Sequence, residues 1–76
     1  MAKLTPEANR AARAILKWSV RKLAEEAGIA FSTVHLFEKS GKLGEVTSDK
    51  IIAAYERHGV EITNGRGTGA RLRFKT

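Results

Sequence analysis

The sequence predicts a mainly α protein, in which four helices are followed by a C-terminal β-hairpin or extended strand. Apolar residues recur at helical spacing over most of the chain, and glycines fall where that spacing breaks. From residue 60 onward, apolar and polar residues alternate with the period of two that is typical of half-buried strands. A chain of 76 residues can build one modest core, so residues 1–76 are expected to form a single domain.

The first helix is expected to begin at Pro6. Thr5 is suited to cap it, and Pro6 at the first helical position loses no hydrogen bond. Apolar residues then follow at positions i, i+3, i+4 and i+7, with one more beside them: Ala8, Ala11, Ala12, Ile15 and Leu16.

The second and third helices are expected to lie close together in the chain. Ser19 can cap the second helix, and Gly28 can end it with the positive φ that a helix C-terminus often requires. Its apolar stripe consists of Val20, Leu23, Ala24 and Ala27. The third helix is expected from about Phe31 to about Lys39, so the pair and its turn occupy about residues 20–39.

A fourth helix is expected to begin at a cap formed by Thr47 or Ser48 and to close at Gly59. Its inward-facing residues are expected to be Ile51, Ile52 and Tyr55.

The C-terminal β segment is expected over about residues 60–74, around a glycine-rich loop (GRGTG) at residues 65–69. The expected facing pairs are Val60 with Phe74, Glu61 with Arg73, and Ile62 with Leu72. An isolated hairpin is marginally stable in water, so its apolar face needs the helices or a partner chain. We expect the strands to mediate dimerisation through four residues: Val60, Ile62, Leu72 and Phe74.

Charge and composition limit the kinds of partner and site that the chain is expected to have. Fourteen Lys and Arg against eight Asp and Glu give a net charge of +6, which favours a polyanionic partner, although a basic surface also keeps small proteins soluble. The chain has no cysteine, and its two histidines lack metal-ligand spacing, so no metal site or cofactor is expected. No apolar run approaches the roughly 20 residues of a membrane helix and no signal peptide is evident, which favours a cytoplasmic protein without membrane partners.

The spacing of four small and apolar residues indicates a helix-turn-helix. Ala24 allows two steeply crossing helices to approach, and Gly28 allows the tight turn between them. Val34 and Phe37, helped by Ile29, can hold the second helix of the pair against the core. The opposite side of that helix would then project outward and fit the major groove of DNA, which is about 12 Å wide.

In these residues the chain resembles the lambda-repressor and Cro-like helix-turn-helix family, also called the xenobiotic-response-element family. The matching stretches are WSVRKLAEEAGI at residues 18–29, STV at residues 32–34 and FE at residues 37–38. The preceding helix at residues 10–16 and the closing GVEI at residues 59–62 are also similar to such domains. The resemblance implies a four-helix DNA-binding domain with an extended C-terminal segment.

The resemblance also implies roles for particular residues. Arg13 and Glu38 match a pair that forms a salt bridge between the first helix and the recognition helix in such domains. Val20 stands where the family often has a glutamine that contacts the DNA backbone, so that contact is lost or passes to Ser19 or Arg21.

The residues expected to contact DNA fall into two sets. The base-reading set on the third helix is Phe31, Ser32, Thr33, His35 and Leu36. The phosphate-binding set is Ser19, Arg21, Lys22, Lys39 and Lys42. No Arg, Asn or Gln lies on the third helix for bidentate base reading. The basic tail at residues 66–75 either grips DNA or is solvated surface.

The sequence therefore predicts a sequence-specific transcriptional regulator that binds double-stranded DNA. The resemblance implies a Cro-type repressor and autoregulator that binds a palindromic operator as a homodimer, of the kind found in phages and other mobile genetic elements. No catalytic constellation is present and no room exists for a ligand-sensing domain, so neither an enzyme nor a small-molecule ligand is expected. The alternative is a protein-interaction module of the same fold, such as an antitoxin or an antiactivator, favoured by Phe31 and Leu36 on the reading surface.

Overall fold

The computed structural model describes residues 4–63 and 69–72. Within them the chain forms four helices and two strands: α1 (Pro6–Leu16), α2 (Val20–Ala27), α3 (Phe31–Ser40), α4 (Glu45–Arg57), β1 (Val60–Thr63) and β2 (Gly69–Leu72). The prediction of a mainly α chain with four helices is confirmed.

The starts of α1 and α2 are stabilised by the expected side-chain caps. The Thr5 hydroxyl accepts a hydrogen bond from the backbone N–H of Ala8 at 3.1 Å, and the Ser19 hydroxyl accepts one from Lys22 at 3.0 Å. Gly28 ends α2 with φ of 70°, which confirms the prediction that this position needs glycine. Helix α1 ends differently, since Lys17 takes up the left-handed conformation with φ of 58° although it carries a side chain.

Helix α4 begins at Glu45, and the prediction of a cap at Thr47 or Ser48 is wrong. The Ser48 N–H donates to the carbonyl of Gly44 at 2.8 Å, so Ser48 already lies in the first helical turn. Gly44 occupies the N-cap position and makes no side-chain hydrogen bond, which leaves no residue-type signal for this start.

The two strands pair antiparallel in a register that differs from the predicted one by two residues. The Cα partners are Val60 with Leu72, Glu61 with Arg71, Ile62 with Ala70, and Thr63 with Gly69. A shift of two residues leaves each residue on the same face of the sheet, so the alternating pattern could not distinguish the registers. Phe74, the predicted partner of Val60, lies outside the described residues.

The core is shared by the helices and β1. Its buried apolar residues are Leu4, Ala8, Ala12, Leu23, Ala24, Val34, Phe37, Ile51, Ala54, Tyr55, Val60 and Ile62. Both α1 and α4 pack against β1, and the side chains of Val60 and Ile62 are only 0% and 5% exposed. The expectation that these two residues face a second copy is corrected, because the chain's own helices cover them.

Candidate nucleic-acid interface

A short turn joins α2 to α3 and fixes how α3 is presented. The turn comprises residues 28–30, and the N–H of Ile29 donates to the carbonyl of Ala24 at 3.0 Å. Ala24, Val34 and Phe37 are buried where the two helices meet the core. These contacts hold one side of α3 inward and leave its other side facing solvent.

The exposed side of α3 carries apolar, hydroxyl, imidazole and ammonium groups but no carboxylate. Phe31 and Leu36 are 44% and 61% exposed, and three other side chains are exposed beside them: Ser32, His35 and Lys39. Thr33 is half-buried and so lies at the margin of this surface. We call the side formed by Phe31, Ser32, His35, Leu36 and Lys39 the outer face of α3.

An arginine from α2 extends the outer face. The guanidinium carbon Cζ of Arg21 lies 5.1 Å from the ring centroid of Phe31, within the range of a cation–π contact. The rings of Phe31 and His35 are stacked, with centroids 6.1 Å apart and planes inclined by 14°. Phe31 and His35 are four residues apart on one helix, so the sequence could have indicated their contact, but the contact with Arg21 depends on how α2 crosses α3.

The other predicted phosphate-binding residues flank the same surface. Lys22, Lys39 and Lys42 are exposed, and the Lys22 ammonium pairs with a Glu26 carboxylate oxygen at 3.0 Å. Ser19 is exposed, but its hydroxyl is engaged as the cap of α2.

Glu38, the only acid in α3, is bound by α1 and largely shielded from solvent. Arg13 of α1 donates from Nε to Oε2 and from Nη2 to Oε1, both at 2.9 Å. The two side chains are 19% and 13% exposed, so this bidentate pair is largely shielded from water. The pair implied by the family resemblance is therefore in contact, and it joins α1 to α3.

Two more residues extend this network: Asn9, which the sequence did not single out, and Tyr55, which it predicted only to face inward. The Asn9 amide donates to Glu38 Oε2, and the Tyr55 hydroxyl donates to Asn9 Oδ1 at 2.5 Å. Burial raises the pKa of Tyr55, which keeps its hydroxyl protonated as a donor. Arg13 Nη1 also donates to the carbonyl of Trp18 at 3.1 Å. Asn9 precedes Arg13 by four residues and so shares its side of α1, which is the sequence signal that could have found it.

A second polar cluster joins α2 to α4. One Glu26 carboxylate oxygen pairs with the Lys22 ammonium, and the other lies 3.1 Å from His58 Nε2. Hydrogen bonds from Lys22 and then His58 lower the pKa of Glu26. Arg57 Nη2 donates to the Glu26 carbonyl at 2.8 Å. The ring of Trp18 lies between this cluster and the core, with its centroid 4.9 Å from that of His58 and 5.8 Å from that of Tyr55.

Within residues 4–63 and 69–72, no group of three or more His, Asp or Glu residues is arranged to hold a metal ion. None of the helices in this part of the chain has the length and apolar character needed to cross a lipid bilayer.

Comparison with known proteins adds no relative. No protein family matches the chain, and no curated protein has a similar sequence.

Proposed function

We propose that this chain is a sequence-specific DNA-binding transcriptional regulator, a Cro-type repressor and autoregulator of the lambda-repressor-like class. In this proposal α2 and α3 form the helix-turn-helix, and α3 is the recognition helix. The observation that carries the proposal is the outer face of α3, which is exposed, free of carboxylates and held by a buried scaffold on its other side. A helix presented in this way fits the major groove.

Base reading is assigned to the outer face. Ser32 and His35 can hydrogen-bond base edges, and Phe31 and Leu36 can contact thymine methyl groups. Thr33, which is half-buried, is assigned to the edge of the groove, where its hydroxyl can reach a base or the neighbouring phosphate.

Phosphate binding is assigned to Lys39, at the end of the outer face, and to residues around that face. Lys22 and Arg21 lie on the α2 side, and Lys39 and Lys42 lie at the end of α3 and beyond it. Ser19 lies at the N-terminus of α2, where backbone N–H groups and the helix dipole favour the binding of a phosphate. The net charge of +6 supports the same interaction over the whole molecule.

A homodimer is proposed, because two recognition helices about 34 Å apart can read two half-sites of a palindromic operator. Since Val60 and Ile62 are buried in their own chain, the proposed interface rests on the remaining two residues, Leu72 and Phe74. A regulator of this kind acts in the cytoplasm, where it meets the DNA without a cofactor or a small-molecule ligand.

A protein-interaction module of the same fold, such as an antitoxin or an antiactivator, is the second candidate. It is favoured by the exposure of three large apolar side chains in the described part of the chain: Phe31, Leu36 and Val46, the last of which is 70% exposed. Apolar groups on a surface are suited to a protein partner as well as to thymine methyl groups.

The decisive experiment is selection of bound duplexes from a random DNA pool with the full chain, followed by affinity measurements at several salt concentrations. We expect enrichment of a palindromic site. Six phosphate contacts would give a slope of log affinity against log salt of about −5. Absence of any enriched sequence, together with a slope near zero, would contradict DNA reading and favour the protein-interaction module.

A further inference from the structure

Among the arginines whose side chains the structure describes, Arg21 differs from the others in what its guanidinium contacts. Arg10 pairs with Glu7, Arg13 pairs with Glu38, and Arg57 donates to the carbonyl of Glu26. Arg21 is exposed, and the contact that the structure gives its guanidinium is the face of the Phe31 ring, 5.1 Å away. An aromatic ring engages the face of the guanidinium and leaves its five N–H donors at the edge free to point outward.

The position of this arginine is as informative as its contact. Phe31 is the first residue of α3, and the N-terminal residues of a recognition helix are those that reach base edges. The Phe31–His35 stack holds the ring on the outer face, so the guanidinium above it lies at the same end of the helix. Arg21 belongs to α2, but its charged group is located at the start of α3.

The outer face lacks, near the start of α3, a side chain that can form two parallel hydrogen bonds to one base, and the guanidinium of Arg21 would supply it. Lys39 lies at the other end of α3; near the N-terminal end, which reaches base edges, the hydrogen-bonding groups are those of Ser32 and His35, and neither forms two parallel N–H bonds to guanine O6 and N7. The planar guanidinium of arginine forms them, and a guanidinium that already contacts a ring loses less freedom when it does so.

We infer that Arg21 is a base-reading residue that recognises a guanine in the major groove, with the ring of Phe31 as the platform that orients its guanidinium. This inference rests on the proposed DNA-binding function, and it replaces the phosphate contact that the sequence suggested for Arg21. Each half-site then contains a guanine that is read from α2, next to the positions read by α3.

The test compares the sequences selected by the wild-type chain, Arg21→Lys, Phe31→Leu and Phe31→Tyr. Lysine keeps the positive charge but lacks the two parallel N–H donors of the guanidinium. Arg21→Lys is therefore expected to lower the preference for guanine at one position of each half-site by roughly 5- to 150-fold. It should keep its affinity for random duplex DNA, because that affinity depends on charge. Phe31→Leu is expected to weaken the same preference, and Phe31→Tyr, which keeps the ring, to retain it.

A modified base identifies the atom that is read. Replacing the selected guanine with 7-deazaguanine removes the N7 acceptor and leaves base pairing intact. We expect wild-type affinity to fall on the order of tenfold and Arg21→Lys affinity to change little. Arg57→Lys serves as the matched control, since Arg57 ends α4 and donates to the carbonyl of Glu26, so its substitution should leave the selected site unchanged. Unfolding midpoints of all variants are measured to show that they are folded.

The outcomes separate this inference from the function on which it rests. If the wild-type chain enriches no sequence, both fail. If the wild-type chain enriches a site and Arg21→Lys enriches the same site with the same preferences, the DNA-binding function stands and the inference is overturned, leaving Arg21 as a phosphate contact.

Discussion

Single residues of α3 divide according to which side of the helix they occupy. Val34 and Phe37 are buried in the core, and Ser32 and His35 are exposed on the outer face. The first pair can be tested only through stability. The second pair can be changed without disturbing the core, so it gives a direct test of base reading.

The double variant Ser32→Ala with His35→Ala is expected to lose at least tenfold of its affinity for the selected operator, because two base-edge donors are removed. Affinity for random duplex DNA should change little, because that affinity depends mainly on the lysines and arginines, which the variant keeps. Fluorescence anisotropy with both duplexes measures the difference. If the variant binds the operator as tightly as the wild-type chain does, these side chains do not read bases.

At this scale the sequence predicted which side of each helix is buried but not which polar groups meet. The pairing of Arg13 with Glu38 followed from resemblance alone, because nothing in the spacing brings residues so far apart together. The hydrogen bond between Tyr55 and Asn9 was missed for the same reason, since it depends on how α1 and α4 pack. The position of Arg21 over Phe31 likewise depends on the crossing of α2 and α3.

Pairs of elements are joined by two polar clusters with different exposure. The α1–α3 cluster around Glu38 is largely shielded from water, and the α2–α4 cluster around Glu26 is more exposed. A charge pair contributes more when water is excluded from it, so the two clusters should respond differently to substitution.

Glu38→Gln is expected to lower the free energy of unfolding by about 2 kcal/mol. The substitution removes the carboxylate that accepts hydrogen bonds from Arg13 and Asn9, and it leaves the Arg13 guanidinium without its negative partner. Urea unfolding measures the change. Glu7→Gln is the matched control. The Glu7 side chain is 69% exposed and its Oε2 lies 3.9 Å from Arg10 Nη2, so removing this charge should lower the free energy of unfolding by less than about 0.5 kcal/mol. Equal changes in the free energy of unfolding for the two substitutions would show that the Arg13–Glu38 pair between α1 and α3 stabilises the chain no more than an exposed ion pair does.

Glu26→Gln is expected to destabilise the chain in a pH-dependent way. The pKa of Glu26 is lowered in the folded chain from its ordinary value of 4.5, so the folded state binds a proton more weakly than the unfolded state does. The stability that the carboxylate contributes is therefore present above its ordinary pKa and is lost as the pH falls through its folded pKa. Unfolding curves of wild type and Glu26→Gln should differ at about pH 6 and converge once the pH has fallen below the lowered pKa of Glu26 in the folded chain. A difference that does not change with pH would contradict this assignment.

At the scale of elements, periodicity and caps located the helices, and two failures have physical causes. The start of α4 was missed because its N-cap is Gly44, which has no side chain to signal the cap. The strand register was missed because a shift by two residues preserves the alternation, and only the length of the connection, residues 64–68, distinguishes the two registers.

For the whole molecule, the arrangement of the strands bears on assembly. Val60 and Ile62 complete the core of their own chain, so a second copy is not required to cover them. A dimer would therefore associate two chains that each have a formed core. The sequence left open whether the helices or a partner chain cover the apolar face of the hairpin, and for Val60 and Ile62 the helices do so.

Light scattering is expected to give a molar mass twice the 8.3 kDa of one chain. Phe74→Glu should convert the protein to a monomer, because a charge placed in an apolar interface loses its hydration. The variant should also bind a single half-site and lose the avidity of the palindrome. Glu56→Gln, an exposed change on α4, is the control that should leave the mass unchanged. A Phe74→Glu variant that is still a dimer would exclude Phe74 from the interface.

The stack of Trp18 on Tyr55 has a practical consequence. These are the only tryptophan and the only tyrosine in the chain, and their ring centroids lie 5.8 Å apart where α1, α2 and α4 meet. Light absorbed by the tyrosine will pass efficiently to the tryptophan while this joint is closed, and the tyrosine will emit separately once it opens. Energy transfer from Tyr55 to Trp18 therefore reports whether the packing behind the proposed DNA-binding helices is intact. It can be followed by intrinsic fluorescence, without an attached dye.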